Sequence, residues 1–200
     1  LKVLIAGGGT GGHVNPGLAI AKYIKKQEPS AEITFAGTKK GLETKLVPRE
    51  GFKLETITVR GFKRKLSLDT LVAVKELIQS FFEASRLINR TKPDIVIGTG
   101  GYVCGPVLYV AAKKKIPTLI HESNAFPGVT NRLLARYVNF VAVSFKDSMQ
   151  YFGHKEKLVL TGNPVRQELL HADRQEVIKN LDIEPGKPLI VVMGGSRGAR

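Results

Sequence analysis

The chain has 200 residues, enough for one α/β core and part of a second, and 42% of them are hydrophobic, as in an ordinary globular protein. Lysine and arginine total 31 against 17 acidic residues, and the formal net charge of +14 points to a polyanionic partner: nucleic acid, anionic lipid or a phosphorylated metabolite. The single cysteine, Cys104, excludes an internal disulfide and a cysteine-based metal cluster and fits a reducing, cytoplasmic compartment. No run approaches the roughly 20 apolar residues of a spanning helix, and residues 1–6 are too short for a signal peptide, so any membrane contact is expected to be peripheral.

Short β-branched or apolar runs at residues 2–6, 32–36, 53–59, 94–98, 117–121, 139–143, 157–161 and 188–193 read as strands. Helical periods fall between them at residues 17–27, 67–90, 105–114 and 128–136, with a further helix at 173–180. The β-α-β rhythm predicts an α/β fold with a parallel, doubly wound sheet covered on both faces. The turn-rich segment Gly162-Asn163-Pro164-Val165-Arg166 follows the seventh strand and is the expected domain boundary, dividing residues 1–163 from residues 164–200. The sequence stops inside a glycine cluster, so it reads as a fragment that lacks most of its second domain.

Three strands run into glycine clusters and then into helices: Gly7-Gly8-Gly9-Thr10-Gly11-Gly12-His13, Gly98-Thr99-Gly100-Gly101-Tyr102 and Gly194-Gly195-Ser196-Arg197-Gly198. Glycine permits close approach of backbone amides to a ligand, and a following helix N-terminus favours an anion, so phosphate or pyrophosphate is the expected guest. Gly7, Gly9 and Gly12 match the spacing of a dinucleotide fingerprint, but the second strand ends Phe35-Ala36-Gly37-Thr38-Lys39-Lys40, without the acid that would bind a ribose; its two lysines leave a phosphorylated dinucleotide as the alternative. A nucleoside-triphosphatase loop also fails, because His13-Val14 stands where lysine and a hydroxyl residue are required.

Five segments in order, GGGTGGHVNP from Gly7, GGYVCGP from Gly100, HESN from His121, GNPVR from Gly162 and GGSRGA from Gly194, resemble the signatures of the MurG family of undecaprenyl-diphospho-muramoylpentapeptide β-N-acetylglucosaminyltransferases. The resemblance implies a GT-B architecture of two Rossmann-like domains, the first for the lipid-linked acceptor and the second for UDP-N-acetylglucosamine. It implies inverting transfer of N-acetylglucosamine to the C4 hydroxyl of the muramoyl-pentapeptide on undecaprenyl diphosphate (lipid I), giving lipid II for peptidoglycan synthesis. It further implies work at the cytoplasmic face of the bacterial membrane, no cofactor and no obligatory metal. Nucleic acid is not an expected partner, since no basic-aromatic motif of an RRM, OB or zinc-finger kind is present. A fragment of such an enzyme is expected to have little or no activity alone.

Carried onto this sequence, Thr10, Gly11, Gly12 and Asn124 match contacts to the donor sugar from across the cleft, and Arg166 and Ser196 match donor contacts on the other side. Gly100, Gly101 and Tyr102 match the loop expected at the acceptor diphosphate, although Tyr102 also reads as an amphipathic cover residue. His13 matches a proposed catalytic histidine, and imidazole suits proton transfer near neutrality; holding a phosphate or the backbone is the alternative. Glu122 is a rival base or an orienting group, and His121 reads as packing for the strand end. Departures from the common family pattern are Cys104 for Ser, Ser123 and Arg197 for Gln, and Asn15 for an aromatic. Cys104 reads as a small packing residue rather than a nucleophile.

The helical segment 67–90 opens at a reasonable N-cap, Ser67, and carries more than one apolar stripe. One stripe suits the sheet; another, with Ile78, Phe81 and Phe82, is expected to enter the headgroup region of an anionic membrane. Arg60, Lys63, Arg64 and Lys65 precede it, and clustered cations gain roughly 1 kcal/mol each near an anionic leaflet. A covered core helix beside a solvated basic loop is the alternative reading.

Overall fold

The computed structural model describes residues 1–59, 68–153, 155–166, 170, 173–181 and 190–192. Seven strands form one sheet: β1 (Lys2–Gly7), β2 (Glu32–Gly37), β3 (Lys53–Thr56), β4 (Ile95–Gly100), β5 (Thr118–Glu122), β6 (Phe140–Val143) and β7 (Leu158–Leu160). Every neighbouring pair is parallel, and the order is β3-β2-β1-β4-β5-β6-β7. The helices are α1 (Gly11–Gln27), α2 (Glu43–Arg49), α3 (Leu68–Thr91), α4 (Cys104–Lys113), α5 (Val129–Leu134) and α6 (Arg174–Asn180).

The two-residue alternation of β1 shows how the layers are built. Val3 and Ile5 enter one core with Val14 and Leu18 of α1 and Val47 of α2. Leu4 and Ala6 enter the other, with Ala84, Leu87 and Ile88 of α3 and Val107 and Leu108 of α4. All four strand residues are essentially inaccessible, so a continuous apolar run is what this position demands. Helices therefore cover both faces of the sheet, as the β-α-β rhythm predicts.

Three differences from the sequence expectation have local causes. The first helix starts at Gly11 rather than residue 17, because buried Pro16 is accepted within it at the loss of one backbone hydrogen bond. Strand β3 stops at Thr56; beyond it the amide of Thr58 donates to Glu83 of α3 at 2.5 Å instead of to a strand. Helix α2 was not expected: it has seven residues, one of them Pro48, too few for a clear period. Half of the strand expected at 188–193 lies outside the described residues, and the three described within it, Ile190, Val191 and Val192, are exposed and not in a strand.

Candidate active site

Strands β1 and β4 are neighbours, but the helices that follow them lie on opposite faces. Their outgoing loops diverge and open a crevice at the carboxyl edge of the sheet, the switch point at which open α/β sheets place ligands. Both loops are glycine clusters, and they interlock. The amide of Gly8 donates to the carbonyl of Gly100 at 3.2 Å. Gly100 and Gly101 hold φ values of +117° and +88°, and a Cβ would drive the first into the His13 ring and the second into the Gly8 carbonyl. The hydroxyl of buried Thr99 donates to the carbonyl of His13 at 2.7 Å, tying the end of β4 to the first turn of α1.

Beneath this junction the thiol of Cys104 donates to the carbonyl of Ala6 at 3.0 Å and accepts from the amide of Gly100 at 3.2 Å. Burial pushes that thiol up to about 12, so it stays protonated and unreactive. A packing residue is what the sequence suggested; the structure adds that it fastens two strands and a helix at one point.

His13 sits in the first turn of α1 with Nδ1 3.0 Å from the Gly8 carbonyl and 3.3 Å from the Thr10 hydroxyl. A carbonyl only accepts, so the neutral ring carries its proton on Nδ1 and keeps the lone pair on Nε2. Behind the turn lies Glu43, the first residue of α2 and fully buried. One carboxylate oxygen accepts from the amide of Gly9 at 2.8 Å; the other accepts from the amide and hydroxyl of Thr38 at 2.7 and 2.8 Å. The amides of Gly8 and Gly9 are thus occupied by the protein. The anion cradle expected of this turn narrows to the helix start, from Thr10 onward.

At the end of β5, both oxygens of the buried Glu122 carboxylate are used by its own loop. One accepts from the amide and side chain of Asn124 at 2.9 and 2.8 Å, the other from the amide of Gly128 at 3.0 Å and the side chain of Asn131 at 2.9 Å. His121 is buried and its Nε2 donates to the carbonyl of Gly162 at 3.2 Å, with the Ser144 hydroxyl also 3.2 Å away. Desolvation lowers the His121 pKa, so the ring is held neutral; contacts with the Gly162 carbonyl and Glu122 oppose this only in part.

A cavity of about 470 Å³ brings together Thr10, His13, Gly100, Gly101, Tyr102, Glu122 and Asn124. Of the other residues expected there, Gly11 is buried at the helix start and Gly12 exposed beside it, neither lining the cavity. Arg166 is exposed in the irregular segment after β7, away from this lining, and Ser196 lies outside the described residues. Three residues that organise the site were missed. Thr99 stood inside a quoted motif; Glu43 and Asn131 sit at no spacing that a glycine motif announces.

This crevice and sheet are those of a glycosyltransferase half-domain. The chain belongs to glycosyltransferase family 28, whose N-terminal domain it matches over residues 3–143. It is 80% identical over 200 residues, 100% of this chain and 55% of the relative, to the UDP-N-acetylglucosamine--N-acetylmuramyl-(pentapeptide) pyrophosphoryl-undecaprenol N-acetylglucosamine transferase of Ruminiclostridium cellulolyticum. The identically named protein of Acetivibrio thermocellus is 62% identical over 199 residues, covering 100% of this chain and 54% of that relative. The chain thus spans about half the length of the curated relatives it matches. The crystal structure of Acinetobacter baumannii MurG superposes with a TM-score of 0.66 at 32% identity, over 84% of this chain and 46% of that one. The UDP-GlcNAc 2-epimerase of Neisseria meningitidis, bound to UDP-GlcNAc, shares the fold alone, with a TM-score of 0.59 at 14% identity over 82% and 46% of the two chains. The fold is the Rossmann-like N-terminal half of a GT-B architecture.

Proposed function

We propose that the full-length protein transfers N-acetylglucosamine from UDP-N-acetylglucosamine to the C4 hydroxyl of muramoyl-pentapeptide on undecaprenyl diphosphate, and that this chain supplies the acceptor-side wall of the cleft. The observation that carries the reading is His13. Its Nδ1 is fixed by the Gly8 carbonyl, and its ring lines the cavity shared with Gly100, Gly101, Tyr102 and Asn124. That geometry supports Nε2 as the base: it takes the C4 hydroxyl proton as the oxygen attacks the anomeric carbon, the bond to the diphosphate breaks, and the electron pair leaves with UDP. Attack from the face opposite the leaving group inverts the centre.

Glu122 has four donors on its two oxygens, which supports an orienting role: it aims Asn124 at the donor sugar. Thr10, Gly11 and Gly12 belong to the same wall, and Gly100, Gly101 and Tyr102 receive the acceptor diphosphate. Arg166 and Ser196 act from the second domain, which begins near the turn at Gly162, where φ is +74° just after the sheet's last strand has ended at Leu160.

Docking at the membrane rests on α3. Ala73, Ser80, Ala84, Leu87 and Ile88 form its buried side, whereas Val74, Ile78 and Phe82, at successive intervals of four, are exposed. Phe81 is half-buried and packs edge-on against Tyr109 at 5.5 Å between ring centres. No helix among the described residues is long and apolar enough to cross a membrane. The exposed stripe supports peripheral attachment to a membrane surface, at the cytoplasmic leaflet in this reading; the cations proposed to assist it, Arg60, Lys63, Arg64 and Lys65, lie outside the described residues.

The test is a transfer assay with radiolabelled UDP-N-acetylglucosamine and lipid I on the full-length enzyme. Formation of lipid II supports the reading, and its absence with lipid I alongside transfer to another glycolipid overturns it. This chain alone, with about half the relatives' length, is expected to give no turnover.

A further inference from the structure

The carbonyl of Gly8 and the amide of Gly9 belong to one peptide plane, and that plane is gripped at both ends. Its N–H points at the Glu43 carboxylate, 2.8 Å away, and its C=O receives the proton of His13 Nδ1 at 3.0 Å. A peptide is rigid and planar, so whatever fixes the N–H fixes the C=O as well. A carboxylate on the N–H also polarises the group and strengthens its oxygen as an acceptor. Glu43 is in turn locked by two bonds from Thr38. Glycine at Gly8, Gly37 and Gly41 makes room for it, since a Cβ at any of the three would collide with the Glu43 side chain.

We propose that Glu43 is a positioning residue for His13, acting through the Gly8–Gly9 peptide. A carboxylate, a peptide plane and an imidazole stand in line, and the carboxylate sets ring orientation and tautomer without touching substrate. This rests on the transferase reading above. It assigns a task to a buried charge that neither the sequence motifs nor the cleft lining include.

In the full-length enzyme, Glu43→Gln turns an amide NH2 toward donors that need an acceptor. It should lower kcat on the order of 10- to 100-fold while leaving KM for UDP-N-acetylglucosamine within about twofold. In a His13→Ala background the same change should cost less than about twofold, because its effect runs through the ring that is gone. Equal cost in both backgrounds, or wild-type kcat for Glu43→Gln, overturns the proposal. If Glu43→Gln does not fold, Thr38→Val, which removes one donor to the carboxylate, should show a smaller loss that also vanishes without His13; persistence of that loss overturns it equally. A readout independent of turnover is the imidazole Nδ1–H proton resonance of His13, expected in the wild type and weakened or lost in the Glu43 or Thr38 variant. An unchanged resonance refutes the proposal. A wild type that gives the resonance but no lipid II refutes the transferase reading instead.

Discussion

The Nδ1 of His13 and the carbonyl oxygen of Gly8 lie 3.0 Å apart, which leaves Nε2 as the basic nitrogen of the neutral ring. Replacing His13 with alanine in the full-length enzyme should lower kcat by roughly 10²- to 10⁴-fold, the range for loss of a general base, with KM for the donor changed only a few-fold. Steady-state kinetics at saturating lipid I measure this directly. Retention of wild-type kcat would mean that the ring only holds structure.

Glu122→Gln should act first on stability. The new amide places a donor opposite backbone or side-chain donors that now meet a carboxylate, at a cost of about 2–4 kcal/mol. Urea unfolding should show a lower midpoint at an unchanged slope. A variant as stable as the wild type but catalytically dead would instead favour Glu122 as the base.

His121 predicts a pH dependence of folding. Desolvation lowers its pKa in the folded chain, while the unfolded chain titrates near the ordinary 6.5. As pH falls below about 6.5 the unfolded state takes up the proton first. The contribution of His121 is therefore fully present above that value and is lost on descent, until the folded ring also titrates. His121→Gln should flatten the unfolding free energy between about pH 7 and pH 5. Parallel curves for the two proteins would refute this.

Cys104 should resist thiol reagents in the native state and react once unfolded, being inaccessible and protonated up to about 12. Cys104→Ser keeps a donor and an acceptor at the same point and should change stability by no more than about 1 kcal/mol. Rapid labelling of the native thiol would contradict the packing at the head of α4.

Binding to anionic vesicles should weaken when Ile78 and Phe82 become serine, and weaken further, in a salt-sensitive manner, when Lys63, Arg64 and Lys65 become glutamate. Co-sedimentation at low and high salt separates the two contributions. Equal retention of all variants at low salt would place the membrane contact elsewhere.

Much of the fold was legible because a doubly wound sheet writes itself in short apolar runs separated by glycine and helical period. Val3 through Ala6 illustrate this, each side chain buried on one face or the other. Positions set by tertiary contacts were less legible. The first helix was expected from residue 17, yet α1 begins at Gly11 and runs through Pro16. The acid missing from the end of β2 is replaced by Glu43, six residues beyond Gly37, whose carboxylate turns inward to the backbone rather than outward to a ligand. The motifs named His13, Gly100 and Asn124, which the fold brings to one cavity, but the hydrogen bonds on which the proposed roles of His13 and Glu122 rest depend on folded geometry.

The docking of Gly101 against the Gly8 carbonyl, with no side chain between the two loops, limits how portable this site is. Grafting residues 7–13 onto another Rossmann scaffold would import the sequence without its seat. The recipient would also need a bare glycine pair after its fourth strand and an inward acid after its second. Homologous swaps between family members should therefore exchange the whole switch-point corner, strands β1, β2 and β4 with their outgoing loops, as one inherited block.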